Sequence, residues 1–302
     1  MCGIVGYVGN RNAQDTLLNG LRRLEYRGYD SAGILTLAQS GEATKLRSPG
    51  KVEELAKLIT SHHVNDTFGI GHTRWATHGA PTENNAHPHR YGDVFIVHNG
   101  IIENYKELKS RLQDAHFVTE TDTEVLAALI NELYQRKDVK LEDAVTQALK
   151  LVRGAYGVAV MSPKEPGKVV AARLGSPLLI GVGEDETFVA SDAAAVIAHT
   201  RQVIYMNDGE LAVCTPGNVE IRDLSSQPVS KKVETIEGDL QALQKGGFDH
   251  YLLKEIMEQP ESLRSTLSGR VIKDTQTLRL GGLNMTDDEL RQVEHIFLVA
   301  CG

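Results

Sequence analysis

Five short apolar runs follow one another at 157–161, 169–172, 178–182, 188–190 and 211–213, with no helical period between them. Successive strands without intervening helices pair antiparallel, because a parallel neighbour needs a crossover of a dozen residues or more, usually a helix. Upstream the pattern differs. Strand-like runs at 3–8, 32–37, 68–71 and 94–97 sit among helical stripes, with Leu17, Leu18, Leu21 and Leu24 painting one helix face. Val125, Leu126, Leu129, Ile130 and Leu133 form the strongest stripe, and Leu141, Ala144, Val145, Ala148 and Leu149 form another. Two mainly antiparallel sheets sandwiched between helix pairs use both patterns, so an α+β sandwich is predicted.

At 302 residues, 41% of them hydrophobic and 24% charged, the chain has material for one large domain and part of another. A net charge of −8 without basic runs argues against nucleic acid or an anionic membrane and favours a small-molecule substrate. Cysteines at 2, 214 and 301 fit neither a zinc spacing nor a disulfide framework, which suits a reducing cytoplasm. No signal peptide or bilayer-length apolar run occurs. Beyond residue 235 the pattern shifts. Residues 239–247 carry no strand signal, 250–259 read as a helix that Pro260 interrupts or ends, and 287–294 as a short polar helix. The run 295–302 reads as a buried strand ending in glycine, the way a doubly wound domain opens. The expected division is a complete domain over 2–240, then a linker and the truncated start of another over 241–302.

The chemistry begins at Cys2, which becomes the terminus once Met1 is removed. A terminal cysteine carries its own base, an α-amine of pKa about 7.7–8.0, beside a strong nucleophile. The densest polar chemistry lies at 72–124. His72-Thr73-Arg74-Trp75-Ala76-Thr77-His78-Gly79 follows a strand and is expected on a loop at its end. Asn99-Gly100 reads either as a tight turn or as an amide and a backbone N–H converging on one oxygen. Crowded histidines at 72, 78, 87, 89 and 98 raise a metal site, but no helical pair or paired-cysteine motif supports one. Thr121-Asp122-Thr123-Glu124 fits a capping box, and a carboxylate held there can also serve as a ligand. Arg74 reads as a surface ion-pair residue or as a bidentate carboxylate site.

In order along the chain, Cys2-Gly3-Ile4-Val5-Gly6, Tyr26-Arg27-Gly28-Tyr29-Asp30-Ser31-Ala32-Gly33, His72 through Gly79, Asn85 through His89, His98 through Asn104 and Glu120 through Glu124 resemble the glutaminase domain of the class II, N-terminal-nucleophile glutamine amidotransferases. The likeness runs to Gly302, where the ending looks like the opening of a sugar-isomerase domain. It implies a four-layer αββα N-terminal-nucleophile hydrolase fold. It also implies that Cys2 attacks the side-chain amide of L-glutamine while Asn99 and Gly100 form the oxyanion hole. Arg74 and Asp122 match the groups that hold the two charges of the zwitterion, and Thr77, His78 and His87 look like supporting contacts. Trp75 resembles the gate of an ammonia channel, with Arg27 and Tyr29 near the amine and the interdomain surface. No metal or organic cofactor is implied. In the longer protein ammonia would pass to fructose 6-phosphate, and the implied assembly is a homodimer formed mainly through the isomerase half. Rival readings are the amidotransferase that opens purine synthesis, an amide hydrolase without an acceptor, and a glutamine-binding module without catalysis.

Overall fold

Neighbouring residues of the central strands enter different cores, and this alternation organises the computed structural model, which describes residues 2–236, 248–268, 270–272, 277–278 and 285–297. In β1 (Gly3–Val8) Ile4 and Val8 join one apolar cluster while Val5 and Tyr7 join another. In β6 (Val94–Ile102) Phe95 and Val97 meet the first cluster, and Val94 and Ile96 meet a third. Period-two side-chain direction with apolar residues at both parities is the mark of a strand covered on both faces.

Among the described residues the first sheet holds eight strands. Beside β1 these are β2 (Ser31–Leu37), β3 (Ala43–Pro49), β4 (Phe68–Arg74), β9 (Leu179–Gly183), β10 (Glu186–Ala190), β11 (Gln202–Tyr205) and β14 (Glu234–Thr235), in the order β14-β11-β9-β10-β1-β4-β2-β3. The second sheet adds β5 (His89–Tyr91), β7 (Gly154–Met161), β8 (Val169–Leu174), β12 (Glu210–Thr215) and β13 (Asn218–Asp223) to β6, in the order β13-β12-β8-β7-β6-β5. The strand pairings within both sheets are antiparallel, as the closely following runs require. The sheets face each other through Ile4, Leu35, Phe68 and Ile70 on one side and Phe95, Val97, Ala159 and Ala171 on the other. Helices α1 (Ala13–Arg23) and α2 (Val52–Ser61) cover the outer face of the first sheet. Helices α4 (Asp122–Tyr134) and α5 (Leu141–Leu149) cover the second, with α3 (Tyr105–Arg111) beside α4. The expected layers are therefore present.

Several local expectations change. Strand β4 continues through Arg74, so His72 and Thr73 are strand residues and only Trp75 onward forms the loop. Strand β6 continues through Ile102, so Asn99-Gly100 is no hairpin turn; these residues pair with Gly157 and Tyr156 of β7. Helix α4 is buried almost all round rather than along one stripe, because α3 and α5 pack against it in addition to the sheet. Its cap is half a capping box: Thr121 Oγ1 accepts from Glu124 N at 3.3 Å, while the Glu124 carboxylate reaches past the cap to the N–H groups of Val118 and Thr119. Pro260 ends nothing, since α6 (Tyr251–Leu267) runs through it. The bond it removes faces the Ile256 carbonyl, on a helix that is mostly exposed to water. A short pair, β15 (Val271–Ile272) and β16 (Thr277–Leu278), and α7 (Asp287–Arg291) follow. Residues 295–297 form no strand and are exposed; 239–247 and 298–302 lie outside the described residues.

Leu126 of α4 is fully buried against the second sheet. Leu126→Ala is expected to lower unfolding free energy by about 2–5 kcal/mol. Urea denaturation measures it, and a change of a few tenths would show that α4 is not the wall this packing describes.

Candidate active site

The alternation that fills the space between the sheets also aims the polar residues at its end. Cys2 precedes β1 on the parity of Ile4, His72 continues the parity of Ile70 in β4, and Asn99 continues that of Val97 in β6. These side chains close the inter-sheet layer and open into a cleft of about 950 Å³. Trp75 N donates to Cys2 Sγ at 3.1 Å. Asn99 Nδ2 donates to Cys2 O at 3.2 Å, and Asn99 Oδ1 lies 2.8 Å from His72 Nε2. A chain of contacts thus links the two sheets at the cysteine.

Around it, backbone groups are fixed by side chains. Ser191 Oγ accepts from Ile4 N at 3.0 Å, and Arg27 Nη1 donates to the carbonyl and hydroxyl of Ser191 at 3.2 and 3.3 Å, tying down the start of β1. Asp30 Oδ2 accepts from Ala76 N at 2.5 Å, which sets the loop that carries Trp75. The buried Arg74 guanidinium donates to the carbonyls of His78, Gly79 and Ala80, so the loop folds around it. Three carbonyls engage a fork of five donors. Asp122, at the start of α4, accepts from Ile102 N at 2.8 Å with Oδ2.

Burial pushes the Cys2 thiol up, opposed by the Trp75 N–H and by the nearby Arg74 charge. Burial also lowers the Arg74 guanidinium, against the attraction of Asp30. The imidazoles are driven down by burial: His72 to about 3, and His87, His89 and His98 below their usual range. His72 stacks on His87 at 4.2 Å, His87 meets His89 edge-on at 4.4 Å, and His98 Nδ1 pairs with Thr123 Oγ1 at 3.0 Å. Among the described residues no group of three or more His, Cys, Asp or Glu is arranged to hold a metal ion.

Cys2, Asn99, Gly100, Arg74, Asp122, Thr77, His78, His87, Trp75 and Arg27 all line this one cleft. Tyr29 does not. Its hydroxyl donates to the Glu25 carboxylate and accepts from Val52 N at 2.9 Å, at the start of α2. Sequence reasoning passed over Ser191 and the far wall of the cleft, where α6 contributes Lys254, Glu258 and Ser262. Arg270, beyond α6, pairs with Glu103 at 2.8 Å on the opposite rim. Glu103 lies within the run from His98 to Asn104, but nothing in the sequence signals a partner 167 residues away. No described helix is long and apolar enough to cross a membrane.

Comparison with known proteins adds chemistry to this geometry. Residues 59–246 match the glutamine amidotransferase domain family. The whole chain is 50% identical to glutamine–fructose-6-phosphate aminotransferase (isomerizing) of Thermus thermophilus, covering 49% of that protein. It is 47% identical to the protein of the same name from Chlorobaculum tepidum, covering 50% of it. The chain therefore spans about half the length of these relatives. Among solved structures, glutamine phosphoribosylpyrophosphate amidotransferase from B. subtilis superposes with a TM-score of 0.63 at 27% identity, over 75% of this chain and 50% of that one. A class II glutamine aminotransferase domain protein from Silicibacter pomeroyi shares the fold, at TM-score 0.51 and 16% identity over 74% of this chain and 99% of that one.

The lowered imidazoles give stability a pH dependence of definite sign. Unfolded, each histidine binds a proton below its ordinary pKa of about 6.5; folded, His72 stays neutral down to about 3. The unfolded state then holds more protons, so stability falls as pH drops through that window, by about 1.4 kcal/mol per pH unit for each such imidazole. Urea midpoints measured from about pH 7.5 to about pH 5 should decline, and His89→Gln should flatten the slope by about one proton. A profile unchanged by that substitution contradicts the assignment.

Proposed function

The chain belongs to the glutamine amidotransferase domain family, and from that premise we propose that it cleaves the side-chain amide of L-glutamine through Cys2. The observation that carries this reading is the convergence on Cys2 of the Asn99 amide from one sheet and the Trp75 N–H from the loop that follows β4 of the other. Cys2 Sγ attacks the amide carbon, the C–N bond breaks, and ammonia leaves with the proton from the thiol. Water then attacks the γ-glutamyl thioester, releasing glutamate and restoring the thiol. A thiol raised by burial is neutral near pH 7 and needs a base. The α-amine of Cys2, exposed once Met1 is removed, supplies one of suitable pKa.

Asn99 Nδ2 and the Gly100 N–H serve as the oxyanion donors, each worth about 10²–10³ in rate. Gly100 has φ +131°, and a Cβ there would lie 2.0 Å from the Ala155 carbonyl oxygen, so only glycine keeps this backbone in place. Arg74 takes the substrate carboxylate with the donors its loop carbonyls leave over, and Asp122 takes the ammonium. Thr77, His78 and His87 line the pocket around the substrate, while Trp75 and Arg27 stand on the ammonia exit. The relatives' name supports a longer protein in which ammonia passes to fructose 6-phosphate to give glucosamine 6-phosphate. Residues 2–240 would be its glutaminase domain and 241–302 the linker and start of a sugar-isomerase domain. The likeness to the phosphoribosylpyrophosphate enzyme, at 27% identity, supports the glutaminase chemistry and not that acceptor. Widely spaced cysteines support a cytoplasmic setting.

The test is glutamate release from glutamine by the Met1-processed chain, with N-terminal mass checked on each sample. Cys2→Ala is expected to abolish release, and retention of Met1 to do the same by turning the amine into an amide. Full activity with Met1 in place overturns the mechanism.

A further inference from the structure

We infer that His72 is a positioning residue, whose Nε2–H fixes the Asn99 side-chain amide with its NH2 group turned toward Cys2. The inference rests on the glutaminase reading above and adds the device that sets one of its two donors. A primary amide has two orientations of nearly equal shape, and only one of them presents donors to a reacting carbonyl. In β6 Asn99 is 7% exposed, with Oδ1 2.8 Å from His72 Nε2 and Nδ2 3.2 Å from Cys2 O. Were the amide turned over, Oδ1 would face the Cys2 carbonyl oxygen, acceptor against acceptor. The Cys2 carbonyl therefore selects the NH2 group, which leaves Oδ1 for His72. His72 must then donate from Nε2. One N–H of Nδ2 is spent on Cys2 O, and the second is left for the oxygen of the substrate.

The ring is built to hold this role. His72 sits within β4, opposite Ile4 of β1 and Gly33 of β2, so its backbone is fixed on both sides. One ring face stacks on His87, with planes 21° apart, and His87 Nδ1 in turn accepts the His98 N–H at 3.3 Å. Full burial, which drives the ring's pKa to about 3, keeps it neutral with a single N–H whose place the Asn99 contact decides. The donor and the amide come from different sheets, so their bond also sets the relative position of the two sheets next to Cys2.

Three substitutions separate orientation from mere packing. A glutamine at 72 can place an amide N–H near the Nε2 position, whereas an asparagine places it near Nδ1. His72→Gln should keep glutamine hydrolysis within about tenfold of the parent, while His72→Asn and His72→Leu lose on the order of 10²-fold in kcat with little change in KM, as for a lost oxyanion donor. Alkylation of Cys2 by iodoacetamide, which develops no carbonyl oxyanion, should proceed at similar rates in every variant that folds. Asn99→Ala should cost about 10²–10³ alone and far less on top of His72→Leu, since coupled groups are not additive. Equal kcat for the Gln and Asn variants, or parental kcat for His72→Leu, overturns the positioning role. If Asn99→Ala itself leaves hydrolysis intact, the glutaminase reading of Asn99 fails instead. Should the leucine variant not fold, the comparison of glutamine with asparagine still decides.

Discussion

A β-sheet covered on both faces has no solvent-facing side on which to display polar groups, so chemistry must be carried at the ends of its strands. Both sheets here are of this kind, each pressed against its partner on one face and against helices on the other. The polar residues of the site are accordingly continuations of apolar rows: Ile4 is preceded by Cys2 on the same face, Ile70 is followed by His72, and Val97 by Asn99. The hydrophobic layer thereby fixes the position of the site. A one-residue slip of any of these strands would send the polar group into a helix layer and an apolar one into the cleft, so the register that buries the core also aims the nucleophile.

Position along the strand is not enough, because a strand terminus frays unless its groups are held. The N-terminal strand lies in the middle of its sheet, between β4 and β10, and near its start the Ile4 N–H is claimed by Ser191, itself held by Arg27. Asp30 performs the same service for the loop after β4, through the N–H of Ala76. Arg74 draws three consecutive carbonyls of that loop inward. The Trp75 N–H thus reaches sulfur from a loop pinned at both ends, although Trp75 itself is 55% exposed.

How much of this was legible in the sequence follows from which signals are local. The succession of apolar runs reveals antiparallel sheets because pairing by short connections is a property of neighbours in the chain. Cysteine at position 2 and the polar run from His72 to Gly79 stand out because no core needs such residues. Strand ends are hidden where polar residues continue a strand, as at His72–Arg74 and Asn99–Gly100, since a polar side chain reads as loop when its partner in the other sheet is unseen. The stripe on α4 looked one-sided because the flanking α3 and α5 cover what remains, and that cover is tertiary. Ser191 gave no signal at all. Its function lies in a bond to Ile4, 187 residues away. Tyr29 sits inside a motif yet serves the start of α2, which shows that adjacency in a motif is not adjacency in space.

The histidine cluster, which in the sequence raises a metal site, has a different physical logic in the fold. A neutral imidazole offers one donor and one acceptor in fixed directions, so a buried one can join two elements without importing charge. His72 joins β4 to β6 through Asn99, His87 takes the N–H of His98, His98 reaches Thr123, and His89 reaches the cap hydroxyl of Thr121 at 3.3 Å. Burial keeps the rings in that row neutral. Their neutrality matters for Cys2: a row of imidazolium ions beside it would dominate the local field, whereas the neutral row leaves the thiol to the Trp75 N–H and the Arg74 charge, against burial and the opposing charge of Asp30. The polar end of the inter-sheet layer can therefore be dense in titratable side chains and still leave the protonation of the sulfur to a few backbone and charged groups.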